Sequence, residues 1–289
     1  METYTLGPIE DYELIDSGNG EKLEKFGNYI ISRPDPNAIW NKKIGAAEWQ
    51  KANAIFHSSP SPKINLGNHW ENRDIKDPWI FSFEKISMQL KLTPFKHTGV
   101  FPEQILNWEW FGEIIKKSES KPNILNLFGY TGGATLYAAS KGAKVTHVDS
   151  SKPSVAWAIE NQKLSGLTNS PIRWIVDDAK KFVDREIKRG HKYDAVIMDP
   201  PAFGRDQKGK VFKFENDVPK LIESVKKILN PKPLFAIFNS YSTGYSAEVI
   251  KNLFSEMFSE NKIEYGELSI KEKNTQRRLP AGIFARYKQ

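Results

Sequence analysis

Beyond Lys121-Pro122, short apolar runs alternate with longer stretches whose apolar positions recur every three or four residues. Five runs, Ile124–Phe128, Lys144–Asp149, Ile172–Asp177, Ala195–Asp199 and Leu234–Asn239, are nearly continuous in apolar residues. That pattern predicts strands covered on both faces, as in a parallel sheet. Helices are predicted over about Ala134–Lys141, Pro153–Ser165, Ala179–Arg189, Asp217–Leu229 and Ser246–Ser259. Two more strand candidates, "IEYGELSI" and "RLPAGIFARYK", follow and can form an antiparallel hairpin at a sheet edge. The fold class is therefore α/β, with helices on both faces of the sheet.

Residues 1–93 read differently. "YELIDSG", "NYIISRP", "WIFSFEK" and "SMQLKLT" alternate apolar and polar residues as half-buried strands do, and turn signals such as Ser17-Gly18-Asn19-Gly20 separate them. Trp40, Trp49, Trp70 and Trp79 fall in this part, where core packing is the expected role for most of them. A helix from about Pro102 to Lys117 leads into the second part. The expected division is a β-rich domain over 1–93 and an α/β domain over 94–289.

Charge separates the same two parts. Residues 1–93 carry 11 Lys and Arg against 13 Asp and Glu, whereas residues 94–289 carry 31 against 22. A basic C-terminal part points to a polyanionic partner, although ordinary solubility charge has the same sign. No run approaches the length of a membrane span. The chain opens without a secretory leader, and it has no cysteine, so a cytoplasmic setting is expected. Thiolate nucleophiles and cysteine-ligated metals are excluded, and the five histidines show no metal-ligand spacing. No metal is expected.

The chemistry gathers at the carboxyl ends of the strands, where open α/β sheets bind ligands. After the first strand comes Gly129-Tyr130-Thr131-Gly132-Gly133, whose glycines permit positive φ and close backbone approach. Amides at the start of the next helix can bind an anionic group. Asp149 ends the second strand, where a carboxylate can accept both hydroxyls of a ribose or cap a helix. Asp177-Asp178 ends the third strand; one carboxylate, Asp178, is assigned to an adenine amino group and the other to the helix cap, although both could serve as caps. Asp199-Pro200-Pro201-Ala202-Phe203 ends the fourth. Its prolines fix the backbone and remove two N–H groups, so acceptors lie beside an aromatic ring. Such a site suits a planar substrate that bears amino groups, though a rigid loop would use the same residues. The spacing lacks G-x-G-x-x-G, which disfavours an NAD oxidoreductase.

These motifs resemble those of the class I S-adenosylmethionine-dependent methyltransferases. "LNLFGYTGGATL", "DPPAFGR" and "FKHTGVFPEQ" are similar to segments of the bacterial branch that acts on large-subunit ribosomal RNA. The resemblance implies a Rossmann-like, seven-stranded sheet and an S-adenosylmethionine site. Its residues would be Asn126, Phe128, Gly129, Tyr130, Thr131, Gly132, Gly133, Asp149, Ser150, Ser151, Asp177, Asp178 and Asp199, with Thr98, Phe101 and Gln104 from the segment that covers the cofactor. Asp199, Pro200, Pro201 and Phe203 would hold the methyl acceptor. In the branch members that methylate cytosine C5, a cysteine follows the fifth strand. Here that region reads "AIFNSYSTG", and no covalent enzyme–base adduct is expected. A base nitrogen attacks directly and needs none. Ala202 also separates Phe203 from Pro201, a departure from the N-methyltransferase pattern. Arg205, Lys208, Lys210 and Lys213, interleaved with Phe212 and Phe214, and Tyr241 are the expected contacts to RNA. Two rivals remain: a methyltransferase of a small molecule or protein side chain, and a non-catalytic RNA-binding protein that keeps the cofactor fold. Oligomeric state, target nucleotide and methylated atom are not legible.

Overall fold

The computed structural model describes residues 2–58, 67–205, 211–241 and 244–289, without the side chains of 203–205 and 211. The chain packs as two compact units. The first comprises Thr5–Glu103 and Ser269–Pro280; the second comprises Gln104–Leu268, Ala281–Gln289 and the residues up to Tyr4.

The first unit is built on a five-stranded sheet, Tyr12–Gly18, Glu21–Phe26, Tyr29–Pro34, Ala54–His57 and His69–Asn72 in that order, with a hairpin of Trp79–Phe83 and Ile86–Leu90. The alternation read from the sequence marks four of these seven strands. Glu21–Phe26 escapes it because Glu24 is itself buried. Glu24 lies among ions: it accepts from Arg33 Nε and Nη2 at 2.6 and 3.1 Å and from the Tyr12 hydroxyl at 2.8 Å. Lys22 adds contacts of 3.6 Å to Glu24 and 3.3 Å to Asp35. Burial pushes the Glu24 carboxyl up, and the Arg33 and Lys22 charges more than cancel it, holding it at about 2. Trp49 and Trp79 are buried, as expected of core residues, while Trp40 and Trp70 are half-buried and donate their indole N–H to the Ser17 and Thr93 carbonyls.

The second unit is organised by a large sheet. Its strands are β1 (Glu2–Leu6), β2 (Asn123–Leu127), β3 (Lys144–Asp149), β4 (Ile172–Val176), β5 (Ala195–Met198), β6 (Phe235–Ser240), β7 (Ile263–Lys271) and β8 (Arg278–Lys288). Their order is β1-β7-β8-β6-β5-β2-β3-β4. The sheet has eight strands rather than the expected seven. The extra one is β1, whose "ETYTL" is too short and polar to stand out in the sequence. Gly266 of β7 receives it, since a Cβ there would stand 1.8 Å from the Glu2 carbonyl oxygen.

β2, β5 and β6 are buried almost throughout, which explains their unbroken apolar runs. They pair in parallel, with Met198 opposite Leu127 on one side and Phe238 on the other, so their carboxyl ends emerge together. The helices are α1 (Ile105–Lys117), α2 (Gly133–Ser140), α3 (Lys152–Leu164), α4 (Ala179–Arg189), α5 (Phe214–Ile228) and α6 (Ala247–Ser255). In α5, Phe214, Val218, Leu221, Ile222, Val225 and Ile228 form one apolar stripe. The stripe joins Leu125, Leu127, Val196, Met198, Ala236 and Phe238, which alternate along β2, β5 and β6, in one core. Each such Leu or Ile stabilises by about 1.5–3 kcal/mol, so Leu221→Asp would break this layer. On the opposite face Phe235 stacks on Phe111 of α1 at 5.7 Å. Helix α4 ends at Gly190, whose φ of 68° closes the last turn.

Candidate active site

The turn after β2 is fastened from every side. Phe128 and Tyr130 adopt φ of 59° and 49°, and Gly132 reaches 90°. The Gly129 N–H donates to the Val148 carbonyl at 3.1 Å, and Asn161 Nδ2 of α3 donates to the Thr131 carbonyl at 2.9 Å. Beneath the turn lies the buried ring of His147. A Cβ on Gly129 would stand 2.4 Å from its Cε1, so glycine is required here by the histidine below. Asn126 Nδ2 donates to Thr135 Oγ1 at 2.8 Å, and that hydroxyl lies 2.9 Å from His147 Nδ1. Burial pushes the His147 pKa down to about 3, so the ring is neutral at working pH. Asn126 thus braces the turn from inside.

Three helices begin at this edge, and their caps differ. Ser151 caps α3, accepting from Ser154 N at 3.3 Å. Asp178 caps α4, accepting from Lys181 N at 2.9 Å. Helix α2 begins at Gly132 with no side-chain cap, so its first amides are left for a ligand or water. Asp149, at the tip of β3, is held by the amides of Tyr130 at 2.9 Å and Ser151 at 2.8 Å. Burial raises its pKa, opposed by those two amides. Ser150 stands beside it, half-buried. Asp177 accepts from the Asp178 amide and pairs with Arg185. The sequence reading placed the α4 cap at Asp177. The cap falls instead to Asp178, the last residue before the helix, because its extended backbone (φ −65°, ψ 130°) turns its carboxylate onto the Lys181 amide.

Asp199 follows β5 directly, beside buried Pro200 and exposed Pro201. Burial alone pushes its carboxyl up to about 7, since no cation or hydrogen bond among the described residues offsets the loss of water. After Ala202 the chain forms a small hairpin, in which Phe203–Arg205 pairs with Val211–Lys213. The Phe203 and Arg205 side chains, and Lys208 and Lys210 altogether, lie outside the described residues. Lys213 is exposed, and its amide donates to Asp217 at 2.8 Å. Tyr241 is half-buried one residue beyond β6.

Thr98 and Phe101 belong to the first unit and Gln104 to the second. Thr98 is fully buried; its carbonyl accepts from the Lys91 amide, and its hydroxyl has no partner among the described residues. Phe101 packs against His97, with ring centroids 5.2 Å apart. Gln104 accepts from Asn107 Nδ2 at 3.3 Å. Asn107, which sequence reading missed, also donates to Asn239 Oδ1 at 2.8 Å and accepts from Arg286 at 3.2 Å. Arg286 is buried and pairs through two nitrogens with Glu264. The signal for this network was faint: an asparagine on the apolar side of a helix and an arginine inside an apolar strand.

S-adenosylmethionine fits these residues: uncapped α2 amides suit its carboxylate, Asp149 its ribose diol and the acids after β4 its adenine amine, with no second glycine turn for a pyrophosphate. No helix among the described residues is long and apolar enough to cross a membrane. Comparisons with known proteins give the same cofactor class. A crystal structure of a SAM-dependent methyltransferase from Agrobacterium tumefaciens superposes with a TM-score of 0.93 at 38% identity, covering 100% of this chain and 93% of that one. Among curated relatives, ribosomal RNA large subunit methyltransferase K/L of Buchnera aphidicola is 27% identical over 73% of this chain and 34% of its own length. The protein of the same name from Shewanella loihica is 34% identical over 50% of this chain and 19% of its own. The chain thus matches a fifth to a third of the length of these relatives. The model of the S-adenosylmethionine-dependent methyltransferase family matches residues 63–260, more than half of the sequence. The chain belongs to the S-adenosylmethionine-dependent methyltransferase family.

Proposed function

We propose that this protein methylates a nitrogen of a base in ribosomal RNA, in the cytoplasm, without a covalent enzyme–base adduct. One observation carries the reading: Asp199-Pro200-Pro201 leaves the carboxyl end of β5, and no charge among the described residues offsets the loss of water at Asp199. The cofactor supplies an electrophilic methyl group on its sulfonium. The chain's own residues bind, orient and exclude water. Asp199 and the Pro200 carbonyl accept hydrogen bonds from an amino-bearing base edge, which aims the neighbouring lone pair. Pro200 has no N–H to compete with the substrate as a donor. As a carboxylate, Asp199 can also take the proton that an exocyclic amine releases on methylation. Phe203 and Tyr241 shape the acceptor pocket, and Arg205, Lys208, Lys210 and Lys213 meet phosphates.

The curated relatives named as ribosomal RNA large subunit methyltransferases support RNA as substrate, as does the excess of basic residues over 94–289. The absence of cysteine supports nitrogen rather than pyrimidine carbon as acceptor. The test is nucleoside mass spectrometry of ribosomal and transfer RNA from a strain lacking the gene. One methylated nucleoside is expected to disappear from ribosomal RNA and to return when the purified protein and S-adenosylmethionine are added. An unchanged nucleoside profile would refute the RNA reading and favour a small molecule or protein side chain.

A further inference from the structure

The second unit presents an aromatic ring that nothing above uses. Tyr245 lies in the connection from β6 to α6 and is 38% exposed. Its ring stacks on Phe214, with centroids 5.3 Å and planes 29° apart. Phe214 is buried and meets Phe238 of β6 edge-on at 6.0 Å. One ring of the pair is thus anchored in the core, and the other is laid over it at the surface. Val249, one turn into α6, is exposed beside it in sequence.

The place is as informative as the ring. β5 and β6 are parallel neighbours in register, so Asp199-Pro200-Pro201 and the segment that carries Tyr245 leave the sheet from adjacent tips. Phe212, half-buried, meets Phe128 just beyond β2 at 5.7 Å. Lys213, exposed, stands between Phe212 and Phe214 in the chain. An exposed aromatic ring fixed on a buried one offers a flat π-face at little cost in side-chain freedom.

We propose that Tyr245 is a stacking platform for a nucleobase of the RNA substrate, at the same edge of the sheet as Asp199. The inference rests on the RNA reading and adds a site to it. A base fits because every base has a π-face, and the positive balance of residues 94–289 suits the phosphates that accompany it. The ring selects unstacked nucleotides over duplex, since a base inside a helix has no face to offer.

The experiment uses the full chain, tritiated-methyl S-adenosylmethionine and large-subunit RNA from a strain lacking the gene. Wild type is compared with Tyr245→Phe, Tyr245→Trp, Tyr245→Leu and Tyr245→Ala for methyl transfer, RNA affinity, cofactor affinity and melting temperature. Phe and Trp are expected to stay within about twofold of wild type. Leu and Ala are expected to weaken RNA binding by about tenfold or more, with cofactor affinity unchanged. Leu keeps Phe214 covered, so it decides the matter even if Ala unfolds the chain. The platform is overturned if Leu binds RNA as well as Phe, or if the Ala variant folds and matches wild type. Failure of the wild type to methylate any RNA would instead strike the function on which the platform rests.

Discussion

Two carboxylates withdrawn from water, one fully buried in the first unit and one half-buried in the second, are treated in opposite ways. Glu24 of the first unit is clamped by Arg33, Lys22 and Tyr12 and titrates near 2. Asp199 of the second is half-buried, with no such partner among the described residues, and loss of water pushes its carboxyl up to about 7. Burial raises both; only pairing separates them. Glu103, also buried, has no direct ion pair among the described residues and sits near 7 as Asp199 does. Position, not pairing alone, separates the two unpaired acids: Glu103 lies inside the first unit, whereas Asp199 stands after β5 at the carboxyl edge of the sheet, where open α/β sheets bind ligands.

Substitutions can break this contrast. The largest effect is expected for Asp199→Asn, with methyl transfer falling by about 10²–10⁴-fold in a radiolabel assay and cofactor affinity retained. Stability should move the other way. The folded chain holds a proton on Asp199 that the unfolded chain releases from about pH 4 upward, so this site's contribution declines as pH rises toward 7. Asn carries no charge to bury, and the variant should melt at or above wild type at pH 8.

Next comes the clamp. Glu24→Gln or Arg33→Met alone should cost about 3–5 kcal/mol in urea unfolding, because each strands the other charge. The pair of changes together should cost less than either alone. A double variant that costs the sum of the two single ones would mean that the ion pair is not the reason for the low pKa of Glu24.

Smaller still, Gly129→Ala should lose about 1–3 kcal/mol and bind S-adenosylmethionine more weakly in calorimetry, since its methyl group meets the His147 ring. Adding His147→Ala should recover part of the loss, a coupling that a simple glycine-flexibility effect would not show. The smallest expected effect is that of Asn107→Ala, about 1 to 2 kcal/mol from the hydrogen bonds lost to Asn239 and Arg286.

The sequence carried the second unit better than the first for physical reasons. Buried parallel strands such as β5 and β6 must be apolar on both faces, so "AVIM" and "FAIFN" announce themselves. β1 and Glu21–Phe26 do not, because one is a polar edge strand and the other buries a charge. The polar tips were equally legible. Asp149, Asp177-Asp178 and Asp199 close apolar runs, and all flank the same edge of the sheet. What supports those tips was not legible. His147 bracing Gly129, Thr135 bridging it to Asn126, and Arg286 reaching Asn107 join residues far apart in the chain. No spacing rule brings such residues together, and neither local propensity nor charge marks them. The lack of a partner for Asp199 among the described residues belongs to the same class, because it depends on which side chains the fold brings to the tip of β5.

The pH dependence of methyl transfer by the wild-type protein tests that last point most directly. If Asp199 acts as the unpaired acceptor, kcat/KM should rise with pH and reach half its maximum near pH 7, while Asp199→Asn is slow and flat over the same range. A wild-type profile flat from about pH 5 to 9, or a rise that survives in Asp199→Asn, would contradict the account.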